Sequence, residues 1–168
     1  MDNKQVKNVY CDFTKTTNAD LQKMIGTVDV KSTAIYFYAQ MTMIYSATLT
    51  TIPFDSIKLN VGTALNPVTG IFVAPTPGKY YFAFSGMSDF SVPVRVVLQM
   101  KTGTTEWTLV GEGYGDTTFK TFSMHATLEL VKDDQVRLYL SEGKIHEDVA
   151  HNYFNYVGWL VEENELTV

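Results

Sequence analysis

The chain has 168 residues and a formal net charge of −5, and its basic residues are scattered rather than clustered. An acidic chain without a basic patch repels phosphate backbones, which excludes nucleic acid as a partner. No apolar run is long enough to span a membrane, and residues 1–10 lack the hydrophobic region of a signal peptide. Two alternatives follow: an intracellular protein, or a secreted protein whose signal peptide is absent from this chain.

The aromatic content is high, with ten Tyr, ten Phe and two Trp residues. A chain of this length forms one ordinary domain. Its core should be filled by rings, and further rings should remain on the surface. Cys11 is the single cysteine, so it is either a free thiol or an interchain link.

The first 32 residues are more polar than the rest and lack the alternation of a strand. Apolar residues between positions 18 and 28 have helical spacing, which allows one short amphipathic helix in this N-terminal segment. At the other end, residues 163–168 form a polar C-terminal tail. The folded domain is therefore expected to span residues 33–162.

Strand alternation begins after position 34. Because successive side chains of a strand point to opposite faces, Tyr36 and Tyr38 should face outward. The same rule applied to residues 79–85 places Tyr81 outward and three rings inward: Tyr80, Phe82 and Phe84. Between these strands, the sequence from Asn66 to Gly70 predicts a turn.

The second half of the chain continues the pattern of short strands and turns. Strands are predicted at 94–101, 107–110, 119–130, 135–140 and 153–161, with loops at 111–118 and 141–152. Strands that follow one another at this spacing are typical of an all-β antiparallel sandwich.

Motifs that would support catalysis are absent. His146 and His151 are five residues apart, not the four of a zinc-protease helix, and the glycines at 111, 113 and 115 do not match a dinucleotide fingerprint. We therefore predict that the chain is not an enzyme and that it needs no cofactor.

One stretch carries a resemblance to a known family. Eight residues between positions 54 and 84 stand at the fixed offsets of a family signature: Phe54, Asn60, Leu65, Phe72, Gly78, Tyr80, Phe82 and Phe84. In this spacing the chain resembles the complement C1q globular-head domain, which belongs to the C1q and tumour-necrosis-factor (TNF) superfamily. The closing strand around Gly158 is also similar. One departure is Asp133, which occupies a hairpin turn where the family usually has glycine.

The resemblance implies a jelly roll of about ten strands that assembles as a homotrimer. It also implies a secreted recognition module of innate defence that binds glycans, microbial surfaces or proteins through exposed loops. Alternatives are a TNF-like signalling ligand and a structural or adhesive coat domain. The outward residues Tyr36, Tyr38 and Tyr81 are candidates for the trimer interface. The candidate ligand residues lie in the two predicted loops: Tyr114, Asp116, His146 and His151.

Calcium-binding members of the family carry acidic residues close to the trimer axis. The equivalent position in this chain is Lys120, whose positive charge would repel a divalent cation. No axial calcium is therefore expected.

Overall fold

The computed structural model describes residues 9–11, 22–24 and 34–164. The two N-terminal pieces are strands, β1 (Val9–Cys11) and β2 (Gln22–Met24), which pair antiparallel. At Gln22–Met24 the structure therefore has a strand where a helix was allowed, because helical spacing alone does not exclude an extended conformation. The rest of that predicted helix, and tail residues 165–168, lie outside the described residues.

Twelve more strands follow in the described chain. Their bounds are β3 (Tyr36–Gln40), β4 (Thr50–Thr51), β5 (Ser56–Val61), β6 (Leu65–Asn66), β7 (Ile71–Val73), β8 (Gly78–Ser88), β9 (Val94–Lys101), β10 (Thr108–Gly115), β11 (Thr121–Leu130), β12 (Gln135–Gly143), β13 (Ile145–His146) and β14 (Asn155–Glu163).

These strands form two antiparallel sheets. One, here called the β9 sheet, has the order β10-β9-β12-β7-β6, with β4 paired to β12. The other, the β8 sheet, has the order β11-β8-β14-β3-β5, with β13 paired to β8. Two such sheets face to face make a jelly-roll sandwich, as predicted.

The core between the sheets is built from rings. Phe72 of the β9 sheet is fully buried and meets Phe37, Tyr80 and Phe82 of the β8 sheet at centroid distances of 5.8, 5.4 and 5.1 Å. Tyr156 lies 4.8 Å from Phe37 in an edge-to-face contact, and its complete burial raises the pKa of its hydroxyl. The contacts of Phe72 join the two sheets.

Local turn chemistry agrees with the sequence. The side chain of Asn66 accepts hydrogen bonds from the backbone N–H groups of Val68 and Thr69, at 3.0 and 3.2 Å. Gly70 then has a φ of 68°, and a Cβ there would lie 1.9 Å from the carbonyl oxygen of Ile52. Asp133 has a φ of 71°, so this aspartate adopts the left-handed conformation that glycine favours.

The predicted loop at 111–118 is wrong over most of its length, because β10 continues to Gly115 and the turn that follows covers only residues 117–119. Packing against the core explains why glycine occupies alternate positions of β10. A Cβ on Gly111 would lie 2.4 Å from the side chain of Met124, and one on Gly113 would lie 3.0 Å from the ring of Phe84. The alternate glycines therefore leave room for large core side chains and do not provide flexibility.

The predicted loop at 141–152 is also too long. β12 extends to Gly143, and β13 (Ile145–His146) pairs with the end of β8, so a turn is left only at 149–151. The reason is tertiary: Ile145 is completely buried in the core, although its neighbours in sequence are polar.

We predict that Phe72→Ala lowers the free energy of unfolding by about 3–5 kcal/mol, since it removes a ring that contacts both sheets. Urea denaturation measures this loss. Val68→Ala is the matched control, because Val68 is 83% exposed in the adjacent turn and should change stability by less than about 0.5 kcal/mol. A loss below about 1 kcal/mol for Phe72→Ala would contradict this account of the core.

Candidate functional site

The outer face of the β8 sheet carries a continuous row of rings and apolar side chains. In register across five strands the row contains Thr127, Tyr81, Trp159, Tyr36 and Val61. The rings of Tyr81 and Trp159 are 4.4 Å apart. Trp159 is 41% exposed and Tyr36 is 40% exposed. Two large aromatic side chains on this face are thus open to solvent.

A second row runs beside the first. It contains His125, Ala83, Val157, Tyr38 and Leu59. Leu59 is 49% exposed, and a shallow groove separates it from Trp159 and Val157. The two rows together are here called the aromatic face, and they bring together all three predicted interface residues.

Polar groups border the aromatic face on both sides. At one border Lys79 pairs with Glu162 at 2.9 Å. At the other, the hydroxyl of Tyr38 donates to Oδ1 of Asn155 at 2.6 Å, and Nε2 of Gln40 donates to the same oxygen at 2.8 Å. An apolar centre with a polar rim is the usual anatomy of a protein–protein interface.

A further feature of this sheet is the side chain of Gln40. Gln40 is buried, and its Oε1 atom has no hydrogen-bond partner in the described chain. Buried acceptors are normally satisfied. This oxygen is enclosed by the chain itself, and the side chain of Gln40 is hydrogen-bonded through its amide nitrogen.

The four predicted ligand residues do not form one site. Tyr114 lies on β10, in the β9 sheet, where the guanidinium of Arg95 stacks over its ring at 4.8 Å. Asp116 directly follows this strand, and its carbonyl oxygen accepts a hydrogen bond from Ser88. His146 and His151 both lie against the ring of Tyr153.

The two histidines belong to a chain of five rings, here called the ring cluster. Phe90 lies 5.7 Å from Phe119, Phe119 lies 4.8 Å from His146, and His146 lies 5.6 Å from Tyr153. His151 stacks on Tyr153 at 5.3 Å. Phe90 is 62% exposed, so the cluster presents apolar surface to solvent. Sequence analysis missed both phenylalanines, because three connections that are distant in sequence bring the rings together.

Charged groups hold the segments of the ring cluster in place. Asp89 accepts hydrogen bonds from the backbone N–H and the hydroxyl of Ser91, at 3.2 and 3.0 Å, and pairs with Lys144 at 3.0 Å. The buried carboxylate of Glu147 accepts from the backbone N–H groups of Tyr153 and Phe154, at 3.0 and 2.6 Å. Each carboxylate thus connects segments that carry the rings.

Burial by itself raises the pKa of Asp89, but the hydrogen bonds from Lys144 and Ser91 outweigh burial and hold that pKa below its usual value. The Nδ1 atom of His146 is 3.9 Å from Oδ2 of Asp89 and has no hydrogen-bond partner. The carboxylate therefore remains charged at neutral pH.

The described residues show no group of three or more His, Cys, Asp or Glu side chains that could hold a metal ion. Lys120 is exposed just before β11, and its backbone N–H donates to the hydroxyl of Ser88 at 2.9 Å. Within the part of the chain that the structure describes, no helix is long and apolar enough to cross a membrane.

The two antiparallel sheets form the jelly roll that C1q globular domains adopt. The sequence model of the C1q domain matches residues 36–161, and the chain belongs to this family. Complement C1q tumor necrosis factor-related protein 3 of Homo sapiens is 33% identical over 135 residues, which are 78% of this chain and 52% of that protein. The chain thus spans about half the length of this curated relative.

A second relative is Caprin-2 of Danio rerio, 30% identical over 67% of this chain and 12% of that protein. Solved structures share the fold. The globular domain of zebrafish complement 1qA has a TM-score of 0.61 at 19% identity, covering 77% of this chain and 99% of that one. Eiger TNF from S. frugiperda also has a TM-score of 0.61, at 13% identity, covering 81% and 98%.

The lowered pKa of Asp89 leads to a pH prediction. A carboxyl group whose pKa is depressed by folding contributes stability above its ordinary pKa of about 4, and this contribution is lost as the pH falls below that value. The difference in free energy of unfolding between the wild type and Asp89→Asn should therefore be largest near neutral pH and shrink below about pH 4. Denaturation measured across this range tests it.

Lys144→Met is the companion variant, because it removes the ion pair but leaves the hydrogen bonds from Ser91. It should show a smaller effect with the same pH dependence. A difference that stays constant from neutral to acidic pH would show that Asp89 does not stabilise the fold through its charge.

Proposed function

We propose that the chain is a non-enzymatic, secreted recognition module that assembles as a homotrimer. The aromatic face is the observation that carries this proposal. Exposed ring-bearing patches on soluble proteins mark interaction sites, and a patch with a polar rim suits a partner of matching shape. Membership of the C1q family favours two further copies of the same chain as that partner.

In this trimer Tyr36, Tyr38 and Tyr81 would lie between subunits, together with Trp159. Burial of these rings removes apolar area from water, at about 25 cal/mol for each Å². Lys120 would then stand near the three-fold axis and disfavour a divalent cation there.

Ligand binding is proposed for surfaces outside the trimer contact. The ring cluster supports a role in recognition, because its exposed rings are held on connections that buried carboxylates fix in place. Glycans, microbial surfaces and proteins are the proposed ligands, in the manner of innate defence. His146 and His151 belong to this surface, whereas Tyr114 and Asp116 would contact a ligand at a different place.

A signalling role of the TNF type is the second candidate. Murine APRIL and Eiger TNF resemble the chain as closely in fold as complement 1qA does, with TM-scores of 0.61. In that case the ligand would be a receptor bound in the grooves between subunits. Binding to glycan arrays, compared with pull-down of cell-surface receptors, separates the two functions.

We predict that the protein sediments as a trimer at micromolar concentration and that Trp159→Glu converts it to a monomer, since the variant places a charge in the buried centre of the interface. Analytical ultracentrifugation measures both states. Val68→Glu adds the same charge to an exposed turn of the other sheet and should remain trimeric. A monomeric wild type would refute the assembly, and a trimeric Trp159→Glu variant with native circular dichroism would place the contact elsewhere.

We also predict that Phe90→Ser and His151→Ala each weaken binding to a glycan or microbial polysaccharide identified by array screening, by about tenfold or more for a central contact. Calorimetry on the trimeric variants measures the affinity. Val68→Ser is the control and should bind as the wild type does. Unchanged affinity in both variants would show that the ring cluster is not the ligand site.

A further inference from the structure

Arg137 occupies an unusual environment on the outer face of the β9 sheet, on the opposite side of the sandwich from the aromatic face. Its guanidinium lies 4.0 Å from the ring centre of Trp107 and 4.9 Å from that of Tyr139. Its Nε donates to Oε1 of Gln99 at 2.9 Å, and Nη1 donates to the hydroxyl of Thr51 at 3.0 Å. All four partners are neutral.

Three other cations in the described chain have carboxylate partners. Arg95, on the same sheet face, pairs with both Glu112 and Glu142. Lys79 and Lys144 also form ion pairs. No ion pair is found for Arg137 among the residues that the structure describes. Burial lowers the pKa of its guanidinium, yet arginine stays protonated in proteins, so a charge is held here without a counter-ion.

The guanidinium retains capacity to bind an anion. Arginine has five N–H donors, and Arg137 uses one on Nε and one on Nη1. Three donors remain, one on Nη1 and two on Nη2. Two parallel donors on an edge match the two oxygens of a carboxylate.

We propose that Arg137 is the centre of a binding site for a saccharide that carries a single carboxylate, of the hexuronic acid class. The carboxylate accepts hydrogen bonds from the free donors of the guanidinium. The apolar face of the sugar ring lies against Trp107 and Leu109, and the amide nitrogen of Gln99 donates to a sugar hydroxyl. This site is distinct from the ring cluster and does not depend on the trimer.

The surroundings of Arg137 favour a saccharide over an acidic peptide. Leu109, Gln99 and Arg137 are aligned across three strands, and Leu109 is 64% exposed, so an apolar and a neutral polar side chain lie beside the cation. Arg137 and Lys101 are the cations of this face without an ion pair among the described residues, and of these two Arg137 is the one stacked on rings. Because Glu112 and Glu142 stand beside Arg95, a chain of several acidic groups would be repelled.

The test compares two probes that differ in one group: methyl β-D-glucuronide and methyl β-D-glucoside, titrated into the full chain by calorimetry and by NMR of the Trp107 indole N–H. We expect the glucuronide to bind at least about tenfold more tightly. We expect Arg137→Gln to remove this preference. Arg137→Lys should weaken glucuronide binding, because lysine keeps the charge but lacks the paired donors.

Arg95→Gln is the matched control, because Arg95 also stacks on a ring of this face but already has carboxylate partners. The affinity of this variant for the glucuronide should equal that of the wild type. Equal affinity for both sugars, no binding of either, or glucuronide binding that survives Arg137→Gln would each overturn the proposal. A glutamate-rich peptide that competes for Arg137 more strongly than the glucuronide would overturn the saccharide assignment.

If Arg137→Gln fails to fold, the indole shift in the wild type decides. A shift with the glucuronide alone supports the site, and any other result refutes it.

Discussion

The packing of rings between the two sheets is the constraint on which the rest of this structure depends. Phe72 reaches across from the β9 sheet and contacts rings of the β8 sheet, so the sheets cannot slide without opening cavities. The same close packing requires glycine at position 158. A Cβ on Gly158 would lie 2.5 Å from the ring of Phe37 and 2.8 Å from that of Phe82. Large and small residues are thus matched across the core.

The strands that fill the core also determine what the surface presents. Because side chains alternate, a strand that directs Tyr80 and Phe82 inward must direct Tyr81 outward. In the β8 sheet these outward positions align across five strands and form the aromatic face. In the β9 sheet the outward positions instead hold ion pairs and the unpaired Arg137. One sandwich thus presents a largely apolar surface on one sheet and a more polar surface on the other.

Two loop predictions were wrong because long-range packing overrode the local composition. Three alternate glycines predicted a loop at 111–118, yet they form β10 because side chains of β8 and β11 occupy the space above them. The polar segment after Ser141 predicted a second loop, yet the apolar residue Ile145 docks in the core and adds a short strand. Neither contact is visible in local composition.

Local patterns of the chain were enough to define the all-β class, the inward and outward faces of its main strands and the C1q signature, because alternation and turn chemistry act over a few residues. The tertiary structure alone decided how separate strands align into the aromatic face, which rings meet in the ring cluster, and that Arg137 lies among neutral partners. These features join residues many positions apart, and only the pairing of strands brings their side chains within contact distance.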